Sequence, residues 1–151
     1  MTFEMFLTIV TVIATLTSAF MVVLNYWRIR GETIRQCFEY FRNEDFIKAR
    51  EYVQKDLPIG HNVDYAKINS EDKFKILLVI STMQQWGILV RKHYLPLSLF
   101  INSDEGNKVY NCYEVLKDYI LYRKSDKTSA KNDYYADDFR WLYKRIAKYY
   151  D

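Results

Sequence analysis

The sequence predicts an all-α protein, a single N-terminal transmembrane helix followed by a small helical bundle of about five helices. Three observations carry that expectation. Met5 to Leu24, MFLTIVTVIATLTSAFMVVL, contains no charged residue, and as a helix rising about 1.5 Å per residue it would span about 30 Å, the hydrocarbon thickness of a bilayer. Gly and Pro number only 4 and 2 against 14 Tyr and 9 Phe, so long helices joined by few turns are favoured over a many-turned sheet. Beyond Leu24 the apolar residues recur at helical spacing. The mean hydropathy of −0.28 fits a polar domain carrying one apolar segment, with residues 1–27 as anchor and 28–151 as the domain.

The apolar run competes with two other readings. A cleaved signal peptide wants a basic n-region and a small-x-small cleavage site; here Glu4 is the only upstream charge, and Thr17-Ser18-Ala19 lies inside the apolar run. A buried core helix does not need twenty uncharged residues without a polar face. The exit flank favours a span, because Tyr26 and Trp27 supply amphipathic rings at headgroup depth and Arg28 and Arg30 follow at once, with Arg35 and Arg42 beyond. That asymmetry predicts the N-terminus outside and the domain in the cytoplasm. The hydroxyls of Thr8, Thr11, Thr15, Thr17 and Ser18 are expected to bond back to their own helix rather than across to a partner helix.

After the anchor, Gly31 is the first helix-permissive break, and a restarted helix would carry Ile34, Cys37, Phe38 and Phe41 on one stripe. Asn43-Glu44-Asp45 reads as a turn into a second helix with Phe46, Ala49 and Val53 inside, an αα-hairpin. Residues 57–69 read as a loop with room for one short turn. Ser70, as N-cap with Glu71 and Asp72 behind it, opens a helix to about Lys92 that is apolar on all sides and hence central. Within it Gly87 implies a close helix crossing, since a mid-helix glycine otherwise costs about 1 kcal/mol. Leu95-Pro96 turns the chain, residues 102–107 break it, and a helix over 108–123 follows, with Cys112 in its core face. Residues 124–132 read as a loop. A closing helix from about Asp133 would pack through Tyr135, Phe139, Leu142, Tyr143, Ile146 and Tyr150.

The residue patterns that carry catalysis or ligand binding are mostly absent from the sequence. Glycines at 31, 60, 87 and 106 cannot form a phosphate cradle. His61-x-x-Asp64 and His93 lack the paired spacing of a zinc site, and Cys37 and Cys112 are expected to be reduced structural thiols, so neither cofactor nor metal is expected. The carboxylate pairs Glu44/Asp45, Glu71/Asp72, Asp104/Glu105 and Asp137/Asp138 all stand where a helix starts or a turn lies, which predicts solvated groups complementing helix dipoles rather than acid–base catalysts. Gln84, Gln85 and Arg91 are the candidate polar groove. The more economical reading puts one glutamine at the solvent edge and satisfies the other with a backbone group.

Arg140, Trp141, Lys144, Arg145 and Lys148 form a basic edge interleaved with rings, a candidate for partner, lipid or nucleic-acid contact. All 22 Lys and Arg and all but one of the 19 acids follow Leu24, a net of +4, which disfavours a dedicated nucleic-acid binder.

The order of pieces resembles the DUF4760 family of bacterial membrane-anchored proteins of unassigned function. It does so through the anchor with its basic exit, Arg42-Asn43-x-Asp45-Phe46-x-x-Ala49-Arg50, Trp86-Gly87-Ile88-Leu89-Val90-Arg91-Lys92, Tyr113-x-x-Leu116-x-x-Tyr119-Ile120-x-x-Arg123 and Phe139-x-x-Leu142. The resemblance implies an anchored helical bundle on the bacterial inner membrane and supplies no catalytic residue. The function expected is therefore a membrane-anchored protein-interaction or regulatory module, with the bilayer and a protein partner or second copy as its contacts. An enzyme of membrane-proximal substrates and a weak nucleic-acid sensor are the alternatives.

Overall fold

The computed structural model describes residues 2–57, 64–101, 103–125 and 135–150. Six α-helices and no strand are present among them, as the composition predicts. Helix α1 (Phe3–Phe41) is followed by α2 (Glu44–Glu51), which runs on as a π-helical turn over Tyr52–Asp56. A 3-10 turn at Tyr65–Lys67 precedes α3 (Ser70–Arg91), and α4 (Ser98–Ile101), α5 (Asp104–Ser125) and α6 (Asp137–Ala147) complete the order. Among the described residues five α-helices thus follow α1. The expected loop residues 58–63 and 126–132, His61 among them, and the expected helix start at Asp133 lie outside the described residues.

The main departure from expectation is α1. It does not break at Gly31 but continues for 39 residues, about 58 Å at the usual rise. Its apolar run is wholly exposed, long and apolar enough to cross a membrane. Burial begins only where the run ends, on a single stripe. Arg30, Thr33 and Ile34 are half-buried and Cys37 and Phe41 buried, a 3–4 residue spacing. A stripe in that phase needs uninterrupted helix, and its packing outweighs the roughly 1 kcal/mol that glycine costs in a helix interior.

The stripe ends in an aromatic cluster. Phe41 lies 4.3 Å from the Trp86 ring centroid and 6.2 Å from Phe100, and Phe46 lies 5.4 Å from Trp86. Four elements meet there, α1, α2, α3 and α4. The αα-hairpin forms as expected, with the Asn43 side chain accepting from the Phe46 amide at 3.0 Å to cap α2.

Helix α3 carries Ile76, Val79, Ile80, Met83, Trp86 and Val90 buried, yet Phe74 is 66% and Leu77 40% exposed. It is therefore not enclosed on all sides as expected: Phe74, Leu77, Ser81 and Gln85 form an exposed stripe along it. Its N-cap is Asn69, one residue before the Ser70 expected, because the Asn69 side chain accepts from the Asp72 amide at 2.8 Å. The crossing expected at Gly87 is present. A Cβ there would stand 2.2 Å from the Asp138 carbonyl oxygen at the start of α6. A second such approach went unforeseen. A Cβ on Gly106 would lie 2.0 Å from the Phe100 oxygen, so α5 begins at Asp104, ahead of the expected 108, and rests its first turn on α4.

Helix α6 buries Phe139, Leu142 and Ile146, while Tyr150, expected on the same face, lies beyond the helix end, 46% exposed with its ring 5.7 Å from Tyr110. It opens from Ala136, whose φ of 59° is left-handed.

Gly87→Ala is expected to lower unfolding stability by about 2–3 kcal/mol, since α6 must move or α3 must strain. Gly31→Ala, with nothing within 4 Å of the added carbon, should leave stability unchanged or raise it by up to about 1 kcal/mol. Denaturant titration of the two variants in detergent measures the contrast.

Candidate functional site

The exit flank and the far end of α3 come together. Tyr26 is in phase with the buried stripe of α1, one turn before Arg30, and its hydroxyl approaches the His93 carbonyl at 3.5 Å, the long end of a hydrogen bond. Trp27 stands exposed, with the Arg30 guanidinium 5.9 Å from its ring centre. His93 closes α3 at φ 62°. Its amide donates to the Val90 oxygen at 3.0 Å, and the Tyr94 amide donates to the Leu89 oxygen at 2.9 Å, the paired bonds of a left-handed helix stop usually made by glycine. Arg91, Lys92, His93 and Tyr94 are thereby held as a tight exposed turn against α1.

The predicted polar groove divides. Gln84 accepts from the Phe139 amide at 2.9 Å through Oε1 and donates to Asp138 Oδ2 at 3.2 Å through Nε2. Arg91 bonds Asp138 Oδ1 at 3.1 Å. No side chain of α6's own caps its start, so Gln84 caps it from across the crossing, and Asp138 is held between two partners. Gln85 points elsewhere. It is exposed and lines a separate open cleft of about 390 Å³ beside Gln36, Tyr40 and Trp86. The three residues do not share one enclosed pocket, and one glutamine at the edge with one satisfied by backbone is the arrangement found.

The carboxylate pairs at 44/45, 71/72, 104/105 and 137/138 all occupy first turns of helices. Three of their members are less solvated than expected, Asp72 among them with its side chain 21% exposed. Asp138 is shielded by the crossing, and Glu105 is covered by α2. Its Oε2 lies 3.8 Å from Arg50 and its Oε1 2.7 Å from Lys108. Arg50 also reaches across the Phe46 ring at 5.9 Å. This enclosed Arg50–Glu105–Lys108 cluster was not anticipated; the only signal was Arg50 falling four residues after Phe46, on the inner face of α2.

On the basic edge, Arg140, Lys144, Arg145 and Lys148 are exposed. Trp141 is half-buried, with the Arg145 guanidinium 5.4 Å from its ring centre, so the ring has little free face for a base to stack on. Behind the edge Tyr113 and Tyr143 stack at 4.3 Å. Tyr143 donates to Glu114, which raises the tyrosine's pKa. Lys117 first, then Tyr143, holds the Glu114 carboxyl below its usual range.

Both thiols are free and buried. Burial, with the Glu105 carboxylate adding to it, pushes Cys37 up to about 12. Burial likewise pushes Cys112 up to about 12, although Arg50 and the Gln54 amide, 3.6 Å from its sulfur, pull the other way. Among the described residues no group of three or more His, Cys, Asp or Glu is placed to hold a metal ion. No family model, curated protein or solved structure matches this chain.

Gln84→Ala should lower stability by about 1–2 kcal/mol, uncapping α6 and leaving the Phe139 amide and Asp138 short of partners; denaturant titration reads it. Maleimide at pH 8 should label neither thiol in the folded protein and both in denaturant. Because the folded thiols titrate higher than unfolded ones, stability should hold below about pH 8.5. It should then fall toward pH 12, by at most about 1.4 kcal/mol per pH unit for each thiol, as the unfolded chain ionises first.

Proposed function

We propose that this chain is a single-pass protein of the bacterial inner membrane, its N-terminus outside and its helical body cytoplasmic, acting as a protein-interaction or regulatory module. The observation that carries the reading is α1. One continuous helix is wholly exposed along an uncharged stretch of bilayer length and buried in the body's core at its other end. Such exposure of Phe6, Ile13, Leu16 and Phe20 in water would be a severe liability, whereas lipid covers them without cost. The basic exit at Arg28 and Arg30, with no Lys or Arg before it, supports the orientation.

The interaction role is supported by how the polar residues are used. Gln84 caps α6 and, with Arg91, holds the Asp138 carboxylate, and Arg50 with Glu105 joins α2 to α5, while Phe74 and Leu77 stand exposed on α3. The hydroxyls along the span all donate to carbonyls four residues earlier, from Thr8 to Ser18, so a helix partner in the membrane is not what satisfies them. Membership of the DUF4760 family, which we propose on its motif residues, would imply the same anchored body. Those residues act here in packing and capping: Asn43 caps, Phe46 and Ala49 are buried, and Gly87 admits α6.

Sidedness is read with impermeant maleimide on intact cells. Cys37 is buried and silent on either side, so the reporters are Thr2→Cys and, on the exposed start of α2, Glu44→Cys. Labelling at 2 and not at 44 is expected; the reverse overturns the orientation. Crosslinking in native membranes should then recover a stoichiometric partner or homodimer that is lost in Phe74→Asp. A chain that stays uncrosslinked and monomeric would sink the interaction role.

A further inference from the structure

We propose that the turn closing α3, Arg91 to Tyr94, sits in the lipid headgroup layer and binds anionic phospholipid there, so that the body is seated on the bilayer rather than held off it. This inference rests on the reading of α1 as a membrane span.

Height along α1 sets the depth of the turn. The apolar run ends at Leu24, and Tyr26 stands about 3 Å further along the axis. The headgroup layer is about 5–7 Å deep on each side of the hydrocarbon. Side chains on a helix lean toward its N-terminus, here toward the bilayer, so the Tyr26 hydroxyl lies no farther out than its own backbone. That hydroxyl is 3.5 Å from the His93 carbonyl. The turn it touches is therefore at headgroup depth, level with Trp27 and Arg28.

The turn's composition fits that layer. Arg91 and Lys92 are exposed cations, and Tyr94 is an amphipathic ring 38% exposed. With Arg28 and Arg30 on α1 they surround the exit of the span with four cations. The one carboxylate facing Arg91 is Asp138, at 3.1 Å; Lys92 has no acidic partner within salt-bridge distance among the described residues. Cations near an anionic leaflet contribute about 1 kcal/mol each, and the fixed left-handed stop at His93 holds the turn in place, so little ordering is needed on contact. An anionic lipid surface is the partner that this height and charge select.

The test uses the full chain in nanodiscs of phosphatidylcholine with or without phosphatidylglycerol, carrying a nitroxide at Tyr94→Cys; the two native thiols are buried and stay in place. Collision with oxygen and with a water-soluble nickel chelate reads depth. A nitroxide at Glu44→Cys, at the start of α2 beyond the far end of α1, is the water-exposed reference, and one at Val12→Cys reports the span.

The expected result is strong protection from nickel at 94 relative to 44 in phosphatidylglycerol discs. That protection should be weakened in pure phosphatidylcholine and in Arg91→Glu/Lys92→Glu. Nickel access at 94 equal to that at 44 overturns the seating, and equal protection with and without phosphatidylglycerol overturns the anionic recognition. If the nitroxide at 12 is itself open to nickel, the span fails instead, a distinct outcome.

Discussion

The joint between Phe41 and Trp86, 4.3 Å apart, is the contact on which the rest of the molecule depends. It is where the long helix stops being an isolated rod and becomes part of a core. Phe46 from α2 and Phe100 from α4 close on the same indole, so one ring sets the positions of four elements. Edge and tilted aromatic contacts of this kind add to plain burial and carry directional preference. Because α1 is continuous, fixing Phe41 also fixes the direction in which the apolar stretch leaves the body.

A second constraint acts on the other face of α3. Gly87 lets the Asp138 backbone approach to a distance that no Cβ would permit, and Gln84, one turn earlier on the same face, then reaches the Phe139 amide. The close approach and the cap are one device. Without the glycine the helices stand too far apart for the glutamine to replace a local capping side chain. The acids at the start of α6 follow the dipole rule, but Asp138 is drawn further into use as the acceptor shared by Gln84 and Arg91. The unusual polar residues of α3 are thus explained by α6, an element more than fifty residues away in the chain.

Helix identity, the acidic first turns, the Gly87 crossing and the partition of Gln84 from Gln85 were legible in the sequence, because each follows from local spacing or from a cost that must be met somewhere. What was illegible depends on phase and on distant partners. The continuity of α1 through Gly31 could not be read from propensity, since a glycine marks a stop or a tolerated interior residue with equal ease. Only the shared face of Tyr26, Arg30, Ile34, Cys37 and Phe41 decides it. The start of α5 was hidden in the same way. Residues 102–107 look like a break until Gly106 is found against the Phe100 carbonyl. The Arg50–Glu105 pairing joins α2 to α5 and has no local signature at all.

Continuity through Gly31 has a mechanical consequence. A glycine is the softest point of a helix, and a hinge there would let the body swing freely about the apolar stretch. Contacts on both sides of it oppose that swing. Before Gly31, Tyr26 touches the turn after α3; after it, Ile34, Cys37 and Phe41 enter the core. Both sets of contacts reach α1 from one body, and the route between them passes along α3 from Trp86 to His93. Bending at Gly31 would have to break one set or the other, so the weak point is braced by a parallel strut. The residue that looks like a linker in the sequence is held as part of a rigid mount, and the direction of the apolar stretch relative to the body follows from packing rather than from the length of a tether.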